Sequence, residues 1–423
     1  MRFAYAALTY LLLPIYAGYW FLRGIGNRSY WDRLSQRFGR NYPEPIGGCI
    51  WVHAVSVGEV QASVPLVRAL TKRFPDRHLL ITTVTPTGAA CVRLIFGDSV
   101  LHCYIPFETP DAVGSFFDSI KPDIALILET EIWPNLYHEC GHRNIPLVLV
   151  SARISPKSVK SYRKFLPLFR QTLSHGIVIA AQSEADAERF RALGAAPERT
   201  WVTGNIKFDV QLPETLQSDG AKLRRDNFEG RHVWVAASTH DGEEKLVLHA
   251  HRIVQKQFPE AILVLIPRHP ERFRNVGSSL HKGGYKFISR TDGLPCTSDI
   301  EIYLVDTMGE VPLFYAAADV AFVGGTLVPV GGHNLLEPAA LARPIVTGPH
   351  LFNTQDIADK FERDGASIVV NNAGQLGAAV ADLFGDDVTA KDIGARGFEI
   401  VGQNRGSLSR LLRLMEPLIG NVN

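Results

Sequence analysis

The stretch WVHAVSVGEV, residues 51–60, runs through strand formers, reaches Gly58 and then sets a carboxylate, Glu59, at the start of a helical pattern. An apolar run followed at once by a glycine and a helix is how a buried parallel strand delivers a side chain to the carboxyl rim of its sheet. Glu59 is therefore the first candidate for acid or base chemistry. A helix-capping carboxylate would account for the same residue, but Gly58 leaves no side-chain bulk beside it. His53, inside the run, reads as a packed strand residue.

The pattern continues outward from there. CIWVHAVS, HLLITTVT, LHCYIP, IALILE, PLVLVSA, GIVIAAQS and TWVTGN all occur before residue 206. A polar stretch at 211–230 reads partly as helix, and then HVWVAAS, AILVLIPRH, EIYLVD, VAFVGG, PIVTG and ASIVV follow. Short apolar runs alternating with helical stretches predict parallel strands buried on both faces, and the restart predicts two doubly wound, Rossmann-like α/β domains. The expected boundaries are 25–212 and 213–423, with the option that the last helix packs back on the first domain. A chain of 423 residues also exceeds what one core holds. Ligands of such sheets gather at the carboxyl ends of the strands, so a cleft between the halves is the expected site.

Residues 1–24 differ in kind. Positions 3–22 carry no charge, enough apolar chain to span a bilayer core of about 30 Å, and Tyr19, Trp20 and Phe21 close the run where a signal peptide would have small residues. Arg23, Arg28, Arg33, Arg37 and Arg40 follow with only Asp32 opposing them, which the positive-inside rule reads as a cytoplasmic flank. The expectation is a membrane anchor with the catalytic body inside the cell; Pro14 would also suit a shallow insertion. A second lipid signal is ARISPKSVKSYRKFLPLFRQ (152–171), whose six basic residues are interleaved with Tyr162, Phe165 and Phe169 and include no acid. Such a segment suits anionic headgroups or a phosphorylated amphiphile, unless it is simply a solvated helix face.

Composition excludes other classes. Lysine plus arginine number 44 against 43 acids, which argues against nucleic acid as a partner. The five cysteines are odd in number, widely spaced and free of C-x-x-C pairs, so neither a disulfide framework nor a zinc site is expected. No D-x-D triplet or close His/Asp/Glu cluster points to a metal.

In the second half, GGTLVPVGGHNLLEPAALARP (324–344) follows a strand, and its paired glycines, Gly331 and Gly332, would let backbone amides approach an anion at the start of a helix opened by Asn334. Glu337 is placed to accept hydrogen bonds from ribose hydroxyls; an ordinary cap between Asn334 and Glu337 would explain the same residues. IPRHPER (266–272) puts Arg268 and His269 after another strand, and DTMGEVPLFYAAAD (306–319) puts Met308, Gly309 and Glu310 before a helix. Arginine suits a phosphate and backbone groups near Met308 suit a base edge, so these loops together predict a nucleotide. In the first half, Glu129 and Glu131 lie just past a strand, as do Lys207 and Asp209. If that strand continued, the two glutamates would point to opposite faces and one alone would meet substrate.

Seven motifs in this order, HAVSVGE, ETEIWPN, SARIS, GNIKFD, AASTHDGEE, PRHPER and GGHNLLEPAA, resemble the 3-deoxy-D-manno-octulosonic acid (Kdo) transferase family over nearly the whole chain. The resemblance implies a GT-B glycosyltransferase, metal-independent, cofactor-free and inverting. Such an enzyme moves Kdo from the donor CMP-Kdo onto a lipid A precursor acceptor (lipid IVA), in lipopolysaccharide synthesis at the cytoplasmic face of the inner membrane. It assigns the general base to Glu59 and transition-state stabilisation to Glu129 and Lys207. CMP contacts fall on Pro267, Arg268, Met308, Gly309, Glu310, Asn334, Leu335, Leu336 and Glu337. Two rivals share the architecture: a nucleotide-sugar epimerase, which needs no lipid-facing segments, and a silent nucleotide-sugar-binding protein, which needs no Glu59.

Overall fold

The computed structural model describes residues 2–43, 48–174 and 176–420. The chain divides into two compact units, one of residues 1–209 and 404–423, the other of residues 210–403. Each is built on a wholly parallel seven-stranded sheet.

In the first unit the strands are β1 (Cys49–His53), β2 (His78–Thr83), β3 (Leu101–Tyr104), β4 (Pro122–Leu128), β5 (Leu147–Ala152), β6 (Val178–Ala181) and β7 (Thr200–Val202), ordered β3-β2-β1-β4-β5-β6-β7. All seven apolar runs read from the sequence are strands. They were legible because both faces are covered: β1 and β5 have no exposed residue, and alternate side chains feed two cores. Trp51 stays dry on one face by donating its indole N–H to Thr82 Oγ1 at 2.8 Å. The other face is completed from far away in sequence. Helix Ser407–Gly420 contributes Leu408, Leu411, Met415 and Ile419 to the core beneath β1 and β4, each fully buried apolar side chain being worth about 1.5–3 kcal/mol. Asp209 fixes its start by accepting from the amides of Gly406 and Leu408, both at 2.6 Å.

The second unit has β8 (Val233–Thr239), β9 (Ile262–Pro267), β10 (Phe287–Ser289), β11 (Ile302–Leu304), β12 (Val320–Val323), β13 (Ile345–Thr347) and β14 (Ser367–Val369), ordered β10-β11-β9-β8-β12-β13-β14. Six were expected; β10 was not. It is a three-residue edge strand with one buried side chain, Ile288, between Lys286 and Arg290, too short and too polar to leave a periodic signal. The polar stretch at 211–230 contains helix Leu216–Phe228.

Among the described residues one helix, Arg2–Gly26, is long and apolar enough to cross a membrane. Its far half exposes Phe3, Leu8, Leu11 and Ile15, whereas Trp20 and Gly24 are buried against the first unit. The junction is built from two of the flanking arginines. Arg37, 2 % exposed, lies 3.7 Å from the Trp20 ring centre and 4.5 Å from that of Tyr104 and donates to the Val84 carbonyl; Arg33 donates to the His102 carbonyl at 3.0 Å. These two serve the fold as well as any charge rule.

Candidate active site

Glu59 sits in the first turn of helix Val57–Arg73, directly after β1. Its carboxylate is fixed from one side: Oε2 accepts from the Val55 amide at 2.8 Å, and Ser56 caps the same turn. A Cβ on Gly58 would meet nothing nearer than Ser56 Oγ at 3.9 Å, so the approach beside Glu59 is open. Burial raises the Glu59 carboxyl to about 8; the Val55 amide opposes this, the negative charges of Glu129 and Glu131 add to it, and Lys207 works against it.

The structure thus brings Glu59, Glu129, Glu131 and Lys207 into one electrostatic group at the rim of β1 and β4. β4 ends at Leu128, and Glu129 turns the backbone into the left-handed region at φ 58°, so the alternation assumed for Glu129 and Glu131 does not apply. A non-glycine residue pays on the order of 1 kcal/mol or more for that conformation. What the turn achieves is an ion-pair network: Lys207 Nζ lies 2.8 Å from Glu129 Oε1, and Arg153 donates to Oε2 at 3.1 Å. Burial alone would raise Glu129, but these two cations outweigh it and hold the carboxyl below its usual range. Glu131 accepts from the Trp133 indole at 2.9 Å and is raised, chiefly by burial. His53 is a packed strand residue, fully buried with Nδ1 2.8 Å from Thr82 Oγ1.

Sequence reasoning passed over Glu108, which follows β3. Its carboxylate receives the amides of Asn135 (2.8 Å) and Leu136 (3.2 Å) at the start of helix Pro134–His142, and burial raises it to about 8. It organises the ETEIWPN loop from outside the motif.

In the second unit the three expected loops leave strands β11, β9 and β12 at their carboxyl ends, with β8 between the last two. Pro267 closes β9, and the exposed part of Arg268 carries a guanidinium with no hydrogen bond or ion pair among the described residues. It lies near enough to Glu337 to lower that carboxyl, which burial raises. Asn334 donates to Glu337 Oε1 at 3.1 Å and accepts from the Leu336 amide at 3.0 Å. Leu335 and Leu336 are buried beneath. Gly309, at φ 83°, turns the chain between exposed Met308 and Glu310. Glu310 is committed to Arg290 (3.0 Å) and Thr307, so its carboxylate is not a free acceptor.

Two expectations need correction. The amides of Gly331 and Gly332 both donate to the Gly325 carbonyl, at 3.1 and 2.9 Å, and are not available to an anion. Their positive φ values, 107° and 79°, serve a tight internal turn instead. The helix that follows starts after Leu335, not at Asn334, and spans only Leu336–Ala340, too short for a substantial dipole.

What the sequence did not disclose is a histidine cluster beside Arg268. His240 and His333 stack at 5.0 Å with Nε2 atoms 2.7 Å apart, so one ring donates to the other, and His269 packs edge-on to His240 at 5.3 Å. Burial, His240 and Arg268 push His333 down to about 3. The residues were visible in THDGEE and GGHNLL, but their meeting depends on β8 and β12 being neighbours.

The loop carrying His333 is clamped by Glu243. This fully buried carboxylate accepts from the amides of His240 (3.2 Å), Gly325 (2.7 Å), Thr326 (3.0 Å) and Leu327 (2.9 Å). Glu243→Ala leaves four backbone donors without that acceptor, and with one buried unsatisfied donor costing about 1–3 kcal/mol, a loss of about 3–5 kcal/mol is expected. Denaturant unfolding followed at Trp234 fluorescence checks it.

Two parallel, doubly wound sheets with polar groups gathered at their carboxyl edges define a two-domain α/β protein of the GT-B fold class. A UDP-GlcNAc 2-epimerase from Neisseria meningitidis (13 % identity, TM-score 0.53, 87 % of this chain and 99 % of that one) and a spinosyn rhamnosyltransferase (15 %, 0.52, 87 % and 100 %) share the fold. Likeness of this kind reaches an epimerase and a transferase equally, so the fold does not choose between them. Sequence does. A family model described as 3-deoxy-D-manno-octulosonic-acid transferase (kdotransferase) matches residues 32–210, and a 3-deoxy-D-manno-octulosonic acid transferase of Haemophilus influenzae is 39 % identical over 424 residues, 99 % of each chain. The protein belongs to the Kdo transferase family and is a Kdo-transferring glycosyltransferase.

Proposed function

We propose that the protein transfers Kdo with inversion from CMP-Kdo to a hydroxyl of a lipid A precursor, lipid IVA, without a metal or cofactor, at the cytoplasmic face of the inner membrane. The observation that carries the reading is Glu59: a carboxylate held firmly at Oε2 by the Val55 amide and only loosely at Oε1 by the Ser56 hydroxyl at 3.4 Å, open on its Gly58 side and raised by burial into the range where it takes and releases a proton near neutral pH. Glu59 removes the hydroxyl proton as the acceptor oxygen bonds to the anomeric carbon of Kdo. The bond from that carbon to the CMP phosphate breaks, the electron pair leaves with CMP, and Glu59 later returns its proton to water. Lys207, held by Glu129, offsets negative charge at the Kdo carboxylate. Arg268 offers the leaving phosphate a guanidinium that the fold does not occupy. Pro267, Met308, Gly309, Glu310 and the Asn334–Glu337 loop shape the nucleotide pocket, mainly through backbone groups.

Two features support a lipid acceptor. Helix Arg2–Gly26 presents unpartnered apolar side chains, and between Arg153 and Arg170 the residues Lys157, Lys160, Arg163, Lys164, Phe165 and Arg170 are all exposed. Such a surface suits anionic headgroups.

Incubation with CMP-Kdo and lipid IVA, read by mass spectrometry, is expected to give a lipid heavier by Kdo together with free CMP. An unchanged lipid would favour the epimerase, and CMP-Kdo bound but intact would favour the silent binder. The pH profile carries its own sign. A base works deprotonated, so with the Glu59 carboxyl at about 8, kcat/KM should fall as pH drops below about 8 and level off above it. A profile flat from pH 6 to 9 would detach Glu59 from the rate.

A further inference from the structure

A cavity of about 500 Å³ opens in the first unit, away from Glu59. Ser29, Asp32 and Arg33 line it from the segment after the apolar helix, Thr87 and Arg93 from helix Pro86–Phe96, and Tyr104 from the end of β3. Two guanidinium groups therefore face one carboxylate. Arg33 is pinned: it donates to the His102 carbonyl at 3.0 Å, lies 3.0 Å from His102 Nδ1 and sits 4.9 Å from the Tyr104 ring centre. Arg93 is exposed, and its guanidinium makes no hydrogen bond or ion pair among the described residues. His102 beneath them adds no charge, since burial and both arginines push it down to about 3.

Position gives the cavity its meaning. Thr87 and Tyr104 stand at the carboxyl ends of β2 and β3, on the rim that carries Glu59, and β3 is two strands from β1, roughly 10 Å at the usual strand spacing. On the other side Tyr30, next to Ser29, packs on Trp20 at 5.4 Å and receives a hydrogen bond from Arg23 at 3.0 Å. The cavity thus lies between the exit of the apolar helix and the catalytic rim. A fixed and a free arginine with the hydroxyls of Ser29 and Thr87 in the same lining match the oxygens of a phosphate, whereas an uncharged sugar would leave two cations against the single carboxylate of Asp32.

We propose that this cavity seats the phosphate of a membrane lipid. That phosphate belongs either to the glycosyl acceptor, in which case the site rests on the function proposed above, or to a phospholipid headgroup beside the anchor.

Arg93→Ala is the informative variant because no side-chain bond among the described residues depends on Arg93, and Arg93→Lys retains the charge. The full chain is assayed in micelles with phosphorylated acceptor and with the same acceptor after phosphatase treatment, and by flotation with phosphatidylcholine vesicles with and without phosphatidylglycerol. If the acceptor phosphate occupies the cavity, Arg93→Ala raises the acceptor KM about tenfold or more, leaves kcat and the CMP-Kdo KM within about twofold, and has no effect on treated acceptor; Arg93→Lys recovers part of the loss. If a phospholipid occupies it, acceptor KM is unchanged and binding to the anionic vesicles falls by a similar factor. Unchanged KM and unchanged flotation in both Arg93→Ala and Arg93→Glu overturn the proposal. Should the wild-type chain transfer nothing, the functional reading fails, and flotation alone still decides for or against the lipid phosphate site.

Discussion

Glu59→Gln is expected to lower turnover by about 10²–10⁴-fold while CMP affinity stays within about twofold. The amide matches the carboxylate in shape, and its carbonyl oxygen can keep the 2.8 Å bond from the Val55 amide, so the helix start survives. What it cannot do is accept a proton. The loops proposed to bind CMP belong to the other unit, which is why affinity and rate should separate. CMP release with lipid acceptor and calorimetry of CMP binding read the two effects. Retention of most of the rate would remove Glu59 from the role, and Glu131, also raised by burial and facing the same group of charges, would be the carboxylate to test next.

Lys207→Met is expected to cost about 10²–10³-fold in turnover, the scale of removing one positioned charge from a developing anion. The variant also reshapes its neighbours. Glu129 keeps Arg153 but loses the 2.8 Å partner, and Glu59 loses the cation that lowers it, so the acid limb of the pH profile should move upward. Glu129→Gln should be less than additive with Lys207→Met, because both dismantle one ion pair. Fully additive losses, or an acid limb that stays in place, would mean that Lys207 acts independently of the network described.

The sequence carried the strands well because both faces of each central strand are buried, and such strands have to be apolar throughout. β10 was missed for the converse reason: an edge strand of three residues buries only Ile288. That Glu59, Glu129 and Lys207 sit past the ends of β1, β4 and β7 was readable because each follows an apolar run by a few residues at most, and strand ends are where a parallel sheet gathers its polar groups. The supporting shell was not. Glu243 reaches Gly325 across 82 positions, and His240 meets His333 across 93. Such pairings follow from strand order, which no local pattern encodes. The glycine turn misled for a different reason, since glycine signals only that a tight backbone is needed, and here the amides it frees are spent on the Gly325 carbonyl.

Helix Ser407–Gly420 has a consequence for how the molecule comes into being. The core beneath β1 and β4 is finished by side chains that the ribosome adds only after the entire second unit has been made. Until then the nascent first unit exposes the apolar face that Leu411, Met415 and Ile419 will cover, while the apolar N-terminal helix has long since emerged. Any contact that this helix makes can therefore precede completion of the first unit. A nonsense change shortly before Ser407 would be felt not where the chain stops but at the sheet that carries Glu59.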